Sequence, residues 1–253
     1  MKLRLMMGWC ALAATVALGV DVTGNNVCGL MNVPSDAEVT MISVPWVTVG
    51  GSTDAMAVAN LVKTDTLSEG DALYYYDAES KTYYRWILTG EGWTPTATTK
   101  EDEDAQGNSM TVSAPEDSYT LPRGTGLFLV RKDTTKEIWL YGQYSTEKVS
   151  VTVAKGVAGT PAYTMIANPN AEAYDLNVKG VEGEEGDQIL LDDAKTLYTY
   201  RAAGWTKPTT KEITLPNGTV RKVGTTTTEG CVVAPGRGAW YVSKGGAPKI
   251  EWN

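Results

Sequence analysis

The chain contains no histidine, three cysteines and a single phenylalanine, Phe128. Without histidine it lacks the commonest general base, the nucleophile pairs that depend on that base, and the commonest metal ligand. Cysteine is also too scarce for a cysteine-rich zinc site. We therefore expect a non-catalytic protein, with no catalytic residues, no metal site and no cofactor.

Long apolar runs are scarce too, and the one present lies at the N-terminus. Lys2 and Arg4 precede an uncharged run over residues 5–20, in which Ala17 and Gly19 place small residues where a signal peptidase cleaves. The run is shorter than the roughly 20 residues that a membrane-spanning helix needs. The sequence predicts a signal peptide over residues 1–19 and no transmembrane segment after its removal. It also predicts a secreted, extracellular, cell-surface or periplasmic location.

Basic residues are outnumbered throughout the predicted mature chain. Loss of residues 1–19 leaves 20 Lys and Arg against 30 Asp and Glu, because Lys2 and Arg4 leave with the signal peptide. Such an acidic chain repels phosphate backbones, so nucleic acid is not an expected partner. The densest acidic run, residues 101–104, lacks the alternate ligand spacing of a calcium loop, and we interpret it as a solvated loop.

One stretch of the chain occurs twice. Pro122–Val130 (PRGTGLFLV) returns 112 residues later as Ala234–Val242 (APGRGAWYV), so that Phe128 corresponds to Trp240. Each copy predicts a Pro/Gly turn that leads into a buried strand. Further matches in the same order join residues 40–45 to 164–169, 69–71 to 185–187 and 92–94 to 204–206. These matches indicate an internal duplication.

The local patterns are those of β-structure. Residues 72–77 and 82–88 predict one hairpin, residues 188–191 and 196–201 predict its counterpart, and Pro216-Asn-Gly218 predicts a further two-residue turn. Residues 54–62 predict a two-turn helix that is capped by Asp54. The expected fold is all-β, with two duplicated small β-sandwich or partly open β-barrel modules in tandem, over residues 20–146 and 147–253.

The repeated Glu-Gly-Asp, at residues 69–71 and 185–187, offers two carboxylates in each module. A hydrolase that uses only carboxylates needs such a pair. Both copies stand before a predicted strand, where a turn also requires Asp and Gly. We favour the turn, and a carboxylate-only hydrolase remains the weakest hypothesis.

Tyrosine and tryptophan are abundant, with 13 and 8 copies. Both residues combine an apolar ring with a polar group, so they suit sugar-binding platforms and protein interfaces, and equally cross-strand pairs inside a sheet. The candidates for ligand contact are six aromatic residues: Tyr75, Tyr84, Trp86, Trp93, Tyr200 and Trp205.

Cys28 and Cys231 are the two cysteines that remain after the predicted cleavage. Export favours oxidation of such a pair to a disulfide, whereas two buried free thiols are the alternative.

A signal peptide followed by duplicated Tyr/Trp-rich β-modules resembles the layout of exported bacterial proteins, and no motif here carries a named activity. The leading hypothesis is a structural, adhesive or surface-interaction protein with a protein or glycan partner at the cell exterior and with self-association. The alternative is a pair of carbohydrate-binding modules that use the exposed Trp and Tyr side chains.

Overall fold

The computed structural model of the protein describes residues 28–50, 55–97, 102–103, 109–110, 112–116, 118–143, 145, 147–157, 159–191, 195–214, 219–246 and 249–252. The predicted signal peptide lies outside these residues. We call residues 28–143 the first half of the described chain and residues 147–252 the second half.

The described chain is nearly all β-strand, as the sequence predicts. The first half consists of β1 (Cys28–Val33), β2 (Val39–Ser43), β3 (Ala55–Ala57), α1 (Val58–Leu61), β4 (Ala72–Asp77), β5 (Thr82–Thr89), β6 (Gly92–Pro95), β7 (Asp102–Glu103), β8 (Ser109–Met110), β9 (Val112–Ser113), β10 (Thr120–Pro122), β11 (Gly126–Val130) and β12 (Ile138–Gln143). The second half consists of β13 (Val149–Thr152), β14 (Ala162–Ala167), β15 (Tyr174–Asp175), β16 (Gln188–Leu191), β17 (Thr196–Arg201), β18 (Gly204–Thr214), β19 (Val220–Thr227), β20 (Val232–Val233), β21 (Gly238–Ser243) and β22 (Lys249–Trp252).

Each half is organised around one large sheet. In the first half the strand order is β2-β11-β4-β5-β6, and β9 joins β5 as a parallel neighbour. In the second half the order is β14-β21-β16-β17-β18-β19. Smaller antiparallel pairs complete each half, β1-β12 and β3-β10 in the first and β13-β22 and β15-β20 in the second. No described sheet closes into a barrel, and every pairing between named strands joins two strands of the same half.

The side chains that alternate towards one face of each large sheet form two separate cores. Leu73, Leu127 and Leu129 are fully buried in the first core, beside the side chains of β3, α1 and β12. In the second core Ile189, Ala239 and Tyr241 occupy the matching strands, β16 and β21. Burial on one face of each sheet follows from the period of two in a strand.

Backbone hydrogen bonds join the two halves at the repeated glycine stretch. The amide of Ser43 donates to the carbonyl oxygen of Gly236 at 2.8 Å, and the amide of Ala167 donates to the carbonyl oxygen of Gly124, also at 2.8 Å. The two bonds are reciprocal, because each half supplies one donor and one acceptor. The stretch first noticed as a repeat therefore lies at the junction of the halves.

Glycine is required at this junction because the opposing backbone approaches closely. A Cβ atom on Gly126 would lie 3.0 Å from the carbonyl oxygen of Ile166, and one on Gly238 would lie 3.2 Å from that of Ile42. The rings of Phe128 and Trp240 also meet across the junction, with centroids 5.7 Å apart.

The two predicted hairpins are confirmed. The first pairs β4 with β5 and the second pairs β16 with β17, with bounds that match the sequence patterns to within one residue. The predicted helix over residues 54–62 is wrong. Residues 55–57 form β3, which pairs with β10 through Met56 and Leu121, and only Val58–Leu61 form a single helical turn. Pairing with a distant strand has overridden the local preference.

Candidate functional site

Three of the six candidate aromatic residues are buried. Trp86 is 2% exposed, Trp93 is 7% exposed and Trp205 is 0% exposed, so these rings cannot meet a ligand in this structure. The indole nitrogen of Trp93 donates to the carbonyl oxygen of Val62 at 3.3 Å, and that of Trp205 donates to the carbonyl oxygen of Val181 at 2.9 Å. Tryptophan reaches such full burial when its N–H has a partner. These side chains are core components, which corrects their assignment as ligand-facing.

Two other candidates lie together at the edge of the first core. Tyr75 on β4 and Tyr84 on β5 are directly paired across the strands, and their rings are nearly parallel at 12° with centroids 6.4 Å apart. Tyr119, which precedes β10, contacts both rings, with its centroid 5.1 Å from that of Tyr84. We call these three residues the tyrosine cluster; all three are partly buried.

Tyr75 and Tyr119 of the tyrosine cluster remain neutral over the physiological pH range, because burial raises their pKa values. Burial raises the pKa of Tyr119 to about 12, and burial reinforced by the neighbouring Tyr119 phenol raises the pKa of Tyr75 above its ordinary value. Neutral phenols both donate and accept hydrogen bonds. Tyr75 and Tyr119 thus offer apolar ring faces together with neutral hydroxyl groups, a combination that suits contact with sugar rings.

The remaining candidate, Tyr200, is partly buried and does not belong to the tyrosine cluster. It lies on β17 of the second half, opposite Trp205 on β18, and the two rings meet edge to face at 5.1 Å. Tyr200 therefore packs on a core tryptophan, as a cross-strand pair does.

The repeated Glu-Gly-Asp forms a turn in both halves. Asp71 is 1% exposed and accepts hydrogen bonds from the amides of Ser68 and Lys132 at 2.9 and 2.8 Å. Asp187 is 0% exposed and accepts from the amides of Glu184 and Lys244 at 3.0 and 2.7 Å. The two buried carboxylates hold the backbone at equivalent places in the two sheets.

The predicted disulfide is not formed. Cys28 and Cys231 are both free thiols, the first exposed on β1 and the second fully buried in the second core. The sequence places them in different halves, and packing puts one at the surface and the other inside. Cys231 instead fits the alternative prediction of a buried free thiol, which packs as a small apolar side chain.

The most exposed structure described in the chain is a two-stranded ribbon that extends from the second sheet. Residues 207–214 of β18 and residues 220–227 of β19 form eight cross-strand pairs, from Lys207 opposite Thr227 to Thr214 opposite Val220. We call this ribbon the arm. β17 pairs only with residues 204–206 of β18, so the arm continues beyond the sheet. Its apolar residues are solvent-exposed, with Val220 at 56% and Val223 at 43%.

The predicted turn at Pro216-Asn-Gly218 lies outside the described residues, but the antiparallel pairing of β18 with β19 agrees with a hairpin there. The turn pattern predicts a hairpin but not the length of the arm, which has eight cross-strand pairs. The available signal was the run of β-branched residues over 206–214 and 220–228, which favours strands regardless of burial. Tyr119 was missed as well, because it lies outside any alternating pattern.

Within the described ranges, no group of three or more His, Cys, Asp or Glu side chains lies close enough together to hold a metal ion. Over the same ranges, no helix is long and apolar enough to cross a membrane.

Comparison with known proteins gives no relative: no family model, no curated protein and no solved structure matches the chain.

Proposed function

We propose that the protein is a secreted, non-catalytic β-repeat protein with a structural, adhesive or surface-interaction role. The arm is the observation that carries this proposal. A two-stranded ribbon with both faces in water is marginally stable by itself, and its unpaired edges invite contact with other chains. A long, exposed ribbon of this kind is suited to binding a partner.

Export and duplication belong to the same proposal. The N-terminal pattern of Lys2, Arg4 and a short apolar run supports cleavage after Gly19, followed by a location at the cell surface, in the periplasm or in the medium. The shared order of strand pairing in the two halves supports descent of both modules from one ancestral unit. Phe128 and Trp240, which correspond in the repeat, both lie in a strand of a large sheet.

The positions of Asp71 and Asp187 support a role without catalysis. A carboxylate-only hydrolase needs one acid to donate a proton and one to attack or to activate water. These two carboxylates are buried in separate turns and accept hydrogen bonds from backbone amides. Their contacts are those of structural residues, so the hydrolase is the weakest of the candidate functions.

The tyrosine cluster favours a second candidate, carbohydrate binding by the first half. Tyr75, Tyr84 and Tyr119 bring three rings together at the edge of the core. This candidate concerns the first half alone and not a pair of equivalent sugar-binding modules. In the second half Trp205 is buried and Tyr200 packs against it.

The two functions are separable by two variants of the purified protein. In the first, a two-residue Asn-Gly turn replaces residues 208–226 of the arm. In the second, Tyr75 and Tyr84 are both replaced by alanine. Binding to the surface of the producing cells, measured by pelleting, should be lost in the first variant and kept in the second.

The opposite behaviour of the two variants would contradict the proposal. Binding to a glycan array that is lost in the tyrosine variant, with cell binding unaffected by removal of the arm, would establish the carbohydrate-binding candidate instead. Intact-mass analysis of secreted material that retains Trp9 and Cys10 would contradict the predicted cleavage. A protein found only inside the cell would contradict export itself.

A further inference from the structure

The outer edge of the arm is a strand without a neighbour. β19 ends the strand order of the second large sheet, and its pairing with β18 runs through eight consecutive residue pairs without a bulge. Within the described part of the chain, no other strand lies against the outer edge of β19. Every second residue of such an edge directs its N–H and C=O groups outwards, where they can pair with another strand.

β19 lacks the features by which proteins usually protect an exposed edge. It is eight residues long, contains no proline and carries charge only at Arg221 and Lys222, at the end of the strand that is farther from the sheet. Residues 223–227 are an uncharged run of one valine, one glycine and three threonines. Natural edge strands are usually short, or are interrupted by proline, a bulge or charged side chains. An edge without these features indicates a surface that is used for strand pairing.

The edge of β18 is better protected than that of β19. β17 pairs with β18 only up to Thr206, and the second residue beyond that point is Pro208. Proline has no N–H group to donate, so it interrupts strand pairing. β18 also carries Lys211 and Glu212 in the middle of its unpaired stretch. Of the two edges of the arm, β19 is therefore the one that can add a strand.

The sequence of β19 allows it to pair with the same strand of a second copy. Opposite residues of an antiparallel pair have the same backbone orientation, so the two-fold axis of a symmetric pair passes beside a residue that faces itself. With Arg221 or Lys222 at the axis, a cation would face its own copy, which is unfavourable. With Val223 at the axis, Lys222 lies opposite Gly224. Arg221 then lies opposite Thr225, so no cation faces another.

The side chains of β19 favour Val223 as the central residue. Val223 is 43% exposed, and pairs of β-branched side chains across strands stabilise a sheet. If Gly224 were at the axis instead, the central pair would contribute no side chain. The charge of Lys222 is balanced within its own copy by Glu212 on β18, at 3.9 Å. The two Arg221 residues would be four positions apart along the strands, about 13 Å, which exceeds the screening length of about 8 Å at physiological salt.

We propose that two copies of the protein form a dimer in which their β19 strands pair antiparallel, with Val223 facing Val223 of the second copy. The inference rests on the proposed surface-interaction role and names a second copy of this chain as the partner of the arm. The contact is isologous, because both copies use the same strand. Since Pro208 interrupts the other edge of each arm, assembly through the arms ends at the dimer.

Sedimentation velocity over a range of protein concentrations tests the dimer with a matched pair of variants. The wild type should change from monomer to dimer as its concentration rises, and high salt should not dissociate the dimer, because backbone hydrogen bonds hold it. Val223→Glu should remain monomeric, since two carboxylates would face each other at the axis. Ile213→Glu is the control and should dimerise like the wild type. It adds the same charge to the same face of the arm, also opposite a cation, but on β18.

A mixture of two variants separates the loss of pairing from misfolding of the arm. Val223→Lys should also be monomeric alone, but an equal mixture with Val223→Glu should regain the dimer, because lysine then faces glutamate across the axis. Only the register with Val223 at the axis predicts this recovery. Hydrogen exchange is an independent measurement: the outward-directed amides of residues 220–227 should exchange more slowly at concentrations at which the wild type is dimeric.

Four results would overturn the proposal. The first is a wild type that stays monomeric up to its solubility limit. The second is a dimer that survives Val223→Glu or the replacement of residues 208–226 by an Asn-Gly turn. The third is a mixture of the two Val223 variants that does not regain the dimer. The fourth is a monomeric wild type whose binding to cells is lost in Val223→Glu, which would identify a strand of another protein as the partner.

Failure of this inference is distinguishable from failure of the proposed function. The fourth result would leave the surface-interaction role intact, because the arm would still bind a partner at the cell surface. A protein that forms the dimer but is not exported would keep the strand pairing and lose that role.

Discussion

The amide of Ser43 donates a hydrogen bond to the carbonyl oxygen of Gly236, 193 positions later in the chain, at a distance of 2.8 Å. Gly236 has a φ of +70°, and a Cβ atom there would lie 2.7 Å from Cγ2 of Val33 and 2.8 Å from Sδ of Met31. The turn before β21 is thus pressed against β1 of the other half. The joint between the halves depends on a residue without a side chain.

Gly236→Ala should destabilise the protein more than the same change at Gly50. Both glycines have positive φ, +70° and +72°, so both variants pay the same backbone penalty of about 1–2 kcal/mol. Only Gly236 has neighbours within 4 Å of the new Cβ. Overpacking adds about 1–3 kcal/mol, which should lower the urea midpoint further. Equal urea midpoints for the two variants would show that the added methyl group at position 236 causes no destabilisation by overpacking.

Tyr241→Phe should destabilise the protein more than Tyr198→Phe. Both tyrosines are 0% exposed, but the hydroxyl of Tyr241 donates to the carboxylate of Asp187 at 2.7 Å and that of Tyr198 donates to the carbonyl oxygen of Glu229 at 3.0 Å. Hydrogen bonds to charged groups contribute about 1.5–3 kcal/mol and neutral ones about 0.5–1.5 kcal/mol. Urea unfolding at neutral pH measures the difference, and a larger loss for Tyr198→Phe would contradict the assignment.

The free energy of unfolding should fall as the pH rises above about 8.5, the ordinary pKa of a thiol. Burial, assisted by the charge of Asp175, raises the pKa of Cys231 to about 12 in the folded protein. Between these values the unfolded chain releases a proton that the folded chain retains, so the thiol stabilises the fold less as the pH rises. The free energy of unfolding should fall by up to about 1.4 kcal/mol per pH unit in this range.

Cys231→Ala is the control for this pH dependence. The variant should be less stable at neutral pH, because it leaves a cavity, but its stability should decline less between pH 8.5 and 10. Above about pH 10, the ordinary tyrosine pKa, both proteins should lose stability through Tyr119 and Tyr241, whose pKa values burial raises. Parallel pH profiles for the two proteins would contradict the role of the thiol.

The two thiols should differ in their reactivity towards a thiol reagent. Cys28 is exposed on β1 and should react in the folded protein, whereas Cys231 should react only after unfolding. Denatured, unreduced protein with its signal peptide removed should titrate as two thiols. If no free thiol were titrated, Cys28 and Cys231 would form the disulfide that the sequence predicts.

Removal of the arm should leave the body of the protein nearly as stable as before. The described residues between 208 and 226 contribute no side chain to either core, so an Asn-Gly turn that joins Lys207 to Thr227 removes mainly exposed strand. The free energy of unfolding should change by no more than about 1 kcal/mol, since exposed positions contribute little. A loss of several kcal/mol would mean that the arm supports the second sheet.

The strands that could be predicted are those in which a strong local sequence pattern agrees with the position of the strand in the fold. The strands at residues 72–77 and 188–191 match their patterns because each is bounded by turn residues and rich in strand formers. The helix over residues 54–62 failed because the pairing of Met56 with Leu121 is decided by contacts between distant segments.

The candidate site was less predictable for a related reason. Trp86 and Tyr84 are two positions apart on the same face of β5, yet one lies in the core and the other at its edge. Strand propensity and alternation are identical for the two rings. Their exposure is decided by where the sheet ends and by Tyr119, which arrives from another part of the chain.

The reciprocal bonds at Gly124 and Gly236 have the geometry of contact that two identical subunits form around a two-fold axis, here enclosed in one polypeptide. In a dimer of identical subunits the hairpins that follow β6 and β18 would necessarily have the same sequence and the same charge. A single chain removes that constraint: β18 and β19 continue into the arm of eight cross-strand pairs, whereas β7 and β8 form a hairpin of two pairs. The described chain therefore presents one long exposed ribbon, where a dimer of identical subunits would present two.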